Sequence, residues 1–342
     1  MLKINFFFIS ILLLFVACKG DKDAATNADL KATSSSEYPE IEQLSSRIQQ
    51  NPSDDISYAT RGAAYYEIDS YDNAINDLNK AIELNGNEVE YYHLLADIYM
   101  DYFRSRLALE TMEKAAEKFP DNTLTLLKLA EFQMTLTKNQ DSFKTLDKIL
   151  KKDPQNAEAF FMMGMNFKDT GDTIRAINSF QEAADRNSQL VSAWLQLGSL
   201  YDAIGDPLAA NYYDNAIRVA PDQVEPYHAK AYYLANSRND LEGAIEVYKK
   251  INTVDPQYED AYYNAGLLYM DLKDYSAAHQ QFDLAIKFSP THIRAYFYRG
   301  LASEFVGDAE AAKRDYEQAL KMAPDYELAR EQLTGLEARL AQ

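Results

Sequence analysis

An all-α chain of about eight tandem helix pairs, closed at its C-terminus by a capping helix, is the architecture this sequence predicts. Three observations carry that expectation. A helix-stopping residue recurs at Pro52, Gly86, Pro120, Pro154, Ser188, Pro221, Pro256, Pro290 and Pro324, in steps of 34, 34, 34, 34, 33, 35, 34 and 34. Between the stops, apolar residues keep the 3.6-residue period of amphipathic helices, and no alternating strand pattern stands out. Gly 12 and Pro 10 are few and gather at turns, whereas Tyr 25 and Phe 16 are plentiful, as a repeat with fixed positions for bulky aromatics requires.

The unit is clearest from Glu259 to Pro290. Tyr262, Gly266 and Tyr269 fall at i, i+4 and i+7 on one helix face, and Ala278, Phe282 and Ala285 do so on a second, with Lys273-Asp274 at the turn between them. Small residues stand where two antiparallel helices must approach. On the first helix they are Gly62, Ala96, Ala130, Gly164, Gly198, Ala231, Gly266 and Gly300. On the second they are Ala74, Ala108, Ser142, Ala176, Ala209, Ala244, Ala278 and Ala312, each followed four residues later by a bulky one, from Leu78 to Tyr316. A one-residue deletion near Pro207 and a one-residue insertion near Ser237 both fall in expected turns, where length changes are tolerated.

These residues resemble the tetratricopeptide repeat, whose period is about 34 residues and whose pattern runs Trp-x2-Leu-Gly-x2-Tyr, then Ala, Phe, Ala and Pro. The fifth unit is nearly literal: Trp194, Leu197, Gly198 and Tyr201, then Ala209, Tyr213, Ala216 and Pro221. The third departs most, with Gln133, Ser142 and Ile149 at family positions. The resemblance covers residues 53–324 and implies a right-handed superhelical solenoid that binds rather than catalyses.

The flanks divide as follows. Residues 1–17 carry Lys3 and then an apolar run from Phe6 to Val16, about half of the ~20 residues that span a bilayer, which predicts an export signal. Phe15-Val16-Ala17-Cys18 resembles the lipobox of bacterial lipoproteins, which implies that Cys18 carries the lipid; the alternative is an ordinary signal peptide with a stray thiol. Cys18 is the single cysteine, so no intramolecular disulfide forms. The rest of residues 18–38 is polar and small and is expected to be a flexible tether. Residues 39–52, with Ile41, Leu44 and Ile48 on one face, read as an N-terminal capping helix. Residues 325–342, with Leu328, Leu333, Leu336 and Leu340 among charges, read as the C-terminal one, since a solenoid must cover its open ends.

The net charge of −19 argues against nucleic acid, whose phosphates need a basic stripe, and against anionic lipid headgroups. There is no Gly-rich phosphate loop, His-Glu-x-x-His, cysteine pair or Gly-x-Ser-x-Gly, and His93, His228, His279 and His292 lie in different repeats without ligand spacing. The chain is therefore expected to be no enzyme and to need no metal or cofactor.

In the tetratricopeptide family the concave wall uses four positions of each first helix. Carried onto this chain, they place Leu127, Met134, Phe161, Met165, His228 and Tyr232 in a candidate groove. Further along they add Tyr263, Leu267, Met270, Phe297 and Leu301. Each of these residues could instead pack between neighbouring helices. Acids interleave, and these positions carry almost no Lys or Asn, Arg294 being the basic residue singled out, so the clamp of chaperone-binding relatives is not expected. The expected function is a lipid-anchored scaffold binding proteins or peptides in the envelope of a Gram-negative bacterium, at the outer membrane. The alternative is a surface lipoprotein binding a glycan.

Overall fold

A computed structural model describes residues 38–341, which are all helix and turn. Cys18, the expected export signal and nearly all of the expected tether lie outside the described residues. The described chain divides into two compact units, residues 38–171 and 172–341.

The first unit runs α1 (Pro39–Gln50), α2 (Asp55–Glu67), α3 (Tyr71–Leu84), α4 (Val89–Asp101), α5 (Ser105–Lys118), α6 (Thr123–Thr135), α7 (Asn139–Lys152) and α8 (Ala157–Asp169). The second runs α9 (Thr173–Arg186), α10 (Val191–Ala203), α11 (Ala209–Val219), α12 (Val224–Asn236), α13 (Leu241–Val254), α14 (Glu259–Asp271), α15 (Tyr275–Phe288), α16 (Ile293–Val306), α17 (Ala309–Met322) and α18 (Glu327–Leu340). Helices pack in sequence order: α2 on α3, α4 on α5 and α6 on α7 in the first unit, and α10 on α11 through α16 on α17 in the second. At the ends α1 packs on α2, and α18 on α17.

Local chemistry sets the helix limits. Asp54, Asn122, Asn156, Asp172, Asp240, Asp274 and Asp308 each accept, through the side chain, the backbone N–H three residues on. Such caps contribute about 1 kcal/mol apiece by satisfying an orphan donor. Each second helix ends two residues before the stopping position. The residue between is extended, as at Asn51 (φ −136°, ψ 88°) and Asp255 (φ −131°, ψ 98°), because the proline ring excludes helical geometry there. Asn85 before Gly86 and Asn187 before Ser188 adopt the same conformation without a proline.

The turn inside each pair is more regular than the sequence suggests. A left-handed residue stands at Asp69, Phe103, Thr137, Gly171, Gly205, Asn239, Lys273 and Gly307, always 34 apart, and only three are glycine. The next N–H usually reaches back five residues, as from Ser70 to the Tyr65 carbonyl (2.8 Å) and Asp274 to Tyr269 (2.9 Å). In the repeat with the insertion Asp240 reaches six, to Leu234 (2.9 Å), so the turn absorbs the extra residue. The deletion instead shortens α11 to 11 residues.

Between the paired helices lies the core. Leu78, Met112, Leu146, Phe282 and Tyr316 are fully buried, flanked by the fully buried alanines or serine of the small-residue positions. Burying each large side chain contributes about 1.5–3 kcal/mol. A Cβ added at Gly198 would lie 2.7 Å from Tyr213, and one at Gly266 only 2.6 Å from Phe282, so these helices touch backbone to ring.

The divergent third repeat replaces apolar contact with a closed polar network. Buried Ser142 donates to the Ala130 carbonyl (2.9 Å), and buried Thr145 donates to Gln133 Oε1 (2.8 Å). The first and last repeats carry a different device. Arg61 grips Asp77 with two bonds of 2.7 and 2.8 Å, and Arg299 grips Asp315 with bonds of 2.9 and 2.6 Å. At the same phase the second and third repeats have Leu95 with Thr111 and Leu129 with Thr145.

Candidate functional site

First helices of successive repeats lie side by side: α2, α4, α6 and α8 in one unit, and α10 with α12 and α14 with α16 in the other. They form the walls that carry the eleven groove candidates. Three candidates are core. Leu127 (8% exposed) packs with Leu146 and Ile149, Tyr263 (6%) with Phe282 and Phe297 (5%) with Tyr316. Tyr263 is covered in addition by His292 and Tyr298 of the following repeat (4.6 and 6.0 Å between ring centroids), and Phe297 by Tyr326 (5.3 Å). Replacing Tyr263 would therefore test stability before binding.

The remaining eight, Met134, Phe161, Met165, His228, Tyr232, Leu267, Met270 and Leu301, are half-buried. His228 lies edge-on to Tyr248 (5.8 Å between rings), with its Nε2 3.4 Å from Asn264 Nδ2. Burial holds its imidazole below the ordinary value, hence neutral near pH 7.

The structure brings three candidates together. Leu267 and Met270 on α14 and Leu301 on α16 line one cavity of about 330 Å³, open to solvent and mostly apolar. Its other walls were not among the candidates: Asp271 and Lys273 at the end of α14, Tyr275 at the start of α15, and Tyr298 and Phe305 on α16. Tyr275 and Phe305 stack face to face, 4.3 Å between centroids and 13° from parallel, while Phe305 remains 56% exposed. Asp271 stays exposed, and partial desolvation at the cavity mouth raises its carboxyl above the usual carboxylate value. These residues lie outside the four wall positions of the repeat pattern. The available sequence signal was the phase of Tyr275, which matches Tyr71, itself stacked on Tyr102 of the next repeat (5.0 Å, 9°).

At the opposite end of α16 lies a second polar-aromatic cluster. His292 caps α16, its Nδ1 accepting the Ala295 N–H at 3.1 Å, and its ring packs 4.6 Å from that of Tyr263. Arg294 lies 5.5 Å from the Tyr263 centroid. Among the described residues no group of three His, Cys, Asp or Glu is placed to hold a metal ion, and no helix is long and apolar enough to cross a membrane.

These features define a helical-repeat protein with an apolar recess on its first-helix wall. Tetratricopeptide repeats are found within it: the family profile of that description matches residues 56–88, 157–190, 259–292 and 293–326, and the related TPR repeat profile matches residues 233–273. Two curated relatives are similar over this region. BBSome complex member BBS4 of Bos taurus is 25% identical over 229 residues, 67% of this chain and 37% of the relative. Protein O-mannosyl-transferase TMTC3 of Homo sapiens is 24% identical over 253 residues, 72% of this chain and 28% of the relative. The chain thus spans well under half the length of either. Among solved structures, the C-terminal part of a TPR repeat-containing protein from Cytophaga hutchinsonii superposes with a TM-score of 0.58 at 18% identity, covering 71% of this chain and 98% of that one. That likeness concerns the fold alone.

Proposed function

We propose that this protein is a non-enzymatic scaffold that collects a protein or peptide partner on its first-helix wall, held in the envelope of a Gram-negative bacterium by lipid on Cys18. The observation that supports partner binding most is the recess between α14 and α16, where Leu267, Met270 and Leu301 stay half-exposed around an open cavity. Adaptable Met and aromatic surface of this kind gives large contact area to a partner side chain. A tandem array offers such a wall because each repeat needs only its neighbours for its core. The lipobox-like run before Cys18 supports the anchor, and the charge of −19 leaves the lipid, rather than basic residues, to hold the protein at an outer-membrane surface. Its action is tethering: the lipid fixes the place, the wall fixes the partner, and no bond is made or broken.

Crosslinking and pull-down from intact cells tests both halves. The wild type is compared with Cys18→Ser and with Leu267→Glu/Leu301→Glu. A defined envelope assembly is expected with the wild type and lost with the wall variant. Cys18→Ser should keep the partner's affinity in solution, lose membrane fractionation and lack the lipid mass. Equal recovery with the wall variant would move the contact elsewhere, and an unmodified Cys18 in the membrane-bound protein would remove the anchor.

A further inference from the structure

The recess between α14 and α16 carries more chemistry than an apolar socket needs. Asp271 and Lys273 stand two residues apart at its mouth, and neither side chain has an ion pair or hydrogen bond among the described residues. Lys273 is held there by a left-handed backbone (φ 61°), a conformation that costs a non-glycine residue about 1 kcal/mol. Behind the two charges the lining is Leu267, Met270, Leu301 and the Tyr275–Phe305 stack. Both α14 and α16 end at this mouth, and the partial negative charge of helix C-termini adds to Asp271.

An occupant is constrained by that arrangement. A wholly apolar group would further desolvate the two charges, which is unfavourable. A net cation meets Lys273 and a net anion meets Asp271. A neutral amide or polyol offers each charge one hydrogen bond, whereas an opposite charge at each end makes charge-assisted bonds about twice as strong. The volume of about 330 Å³ lies at the small end of ligand pockets, which run from roughly 300 to 1,000 Å³. We propose that this recess binds a free apolar or aromatic α-amino acid as its zwitterion, with the ammonium on Asp271, the carboxylate on Lys273 and the side chain among Leu267, Met270, Leu301 and Phe305. The site shares its apolar floor with the proposed partner wall, but its occupancy does not depend on there being a partner.

Calorimetric titration of the purified full chain with L-phenylalanine tests this. The comparison ligands are phenylalanine methyl ester (cation), 3-phenylpropionate (anion), N-acetylphenylalaninamide (neutral) and glucose. Low-millimolar binding of L-phenylalanine is expected, weakened at least tenfold in each comparison ligand and at least fivefold by Asp271→Asn or Lys273→Met. Both variants are exposed-site changes that should leave helicity unchanged by circular dichroism. Equal binding of N-acetylphenylalaninamide would overturn the proposal in favour of a socket for a peptide side chain, and equal binding of glucose in favour of a sugar site. No heat with L-phenylalanine would overturn it outright while leaving the pull-down result untouched.

Discussion

Gly266→Ala isolates the contact on which each repeat depends. A Cβ at this position would sit 2.6, 2.8 and 2.9 Å from Cε1, Cδ1 and Cζ of Phe282, a ring with no exposed surface. Ordinary carbon contact begins near 3.5 Å, so the ring or the helix must move by roughly 1 Å. The ring cannot move freely, because Tyr263 (5.9 Å) and Tyr298 (5.8 Å) pack against it. Overpacking of this kind costs about 1–3 kcal/mol, against about 1 kcal/mol gained by alanine over glycine in a helix. The expected net loss is thus about 0–2 kcal/mol. Gly62→Ala provides the control: its Cβ would meet Leu78 Cγ at 3.1 Å and the Ala74 carbonyl at 3.2 Å, so the two terms nearly cancel. Phe282→Leu should rescue Gly266→Ala, because Ala130 already packs with Leu146 in the third repeat. Urea unfolding followed by circular dichroism, with hydrogen exchange on α14 and α15, reads the loss in a chain whose repeats need not unfold together. If Gly266→Ala stabilises the protein, or costs as much in the Phe282→Leu background as with Phe282 in place, the steric argument fails.

Three further outcomes follow from the same structure. Thr137 is a β-branched residue at φ 58°, so Thr137→Gly should raise stability by about 1 kcal/mol in urea, whereas Thr137→Ala should gain little. Asp315→Ala removes a buried two-bond partner of Arg299, which keeps only Asp283 (2.6 Å); the loss should be about 2 kcal/mol, and Arg299→Leu/Asp315→Thr, copying the second and third repeats, should recover most of it in thermal melts. His292 is held below its ordinary value of 6.5 by burial, and it faces Asp260 and Glu259 from α14 and Arg294 on its own helix. Since the unfolded chain takes up that proton first, its contribution is intact above pH 6.5 and is lost as pH falls below it. Stability measured from about pH 7.5 to about 5.5 should fall less steeply in His292→Asn, which keeps a capping acceptor but does not titrate.

The repeat was legible in the sequence because helix stops, small residues and bulky residues are local requirements, met about once every 34 positions whatever the neighbours do. The series from Pro52 to Pro324 fixed where second helices end, and even Gly86 and Ser188 keep the extended residue before them. The turn was less legible: the left-handed position is filled by Asp, Phe, Thr, Asn, Lys or Gly, so backbone geometry recurs there without a residue type. Tertiary structure alone decided which small residue must be glycine. Gly266 cannot carry a Cβ beside Phe282, yet Ala231 shares a cluster with Tyr248, so helix separation rather than ring identity sets the limit. It also decided the site. Leu127, Tyr263 and Phe297 occupy the same sequence positions as candidates that stay half-exposed, but they are core, and the recess instead draws Asp271, Lys273 and Tyr275 from around the α14–α15 turn and Phe305 from the end of α16. Periodicity states which face of a helix a residue takes. Whether that face is then covered depends on which side chains arrive from the following repeat, as His292 and Tyr298 do over Tyr263, and no single repeat contains them.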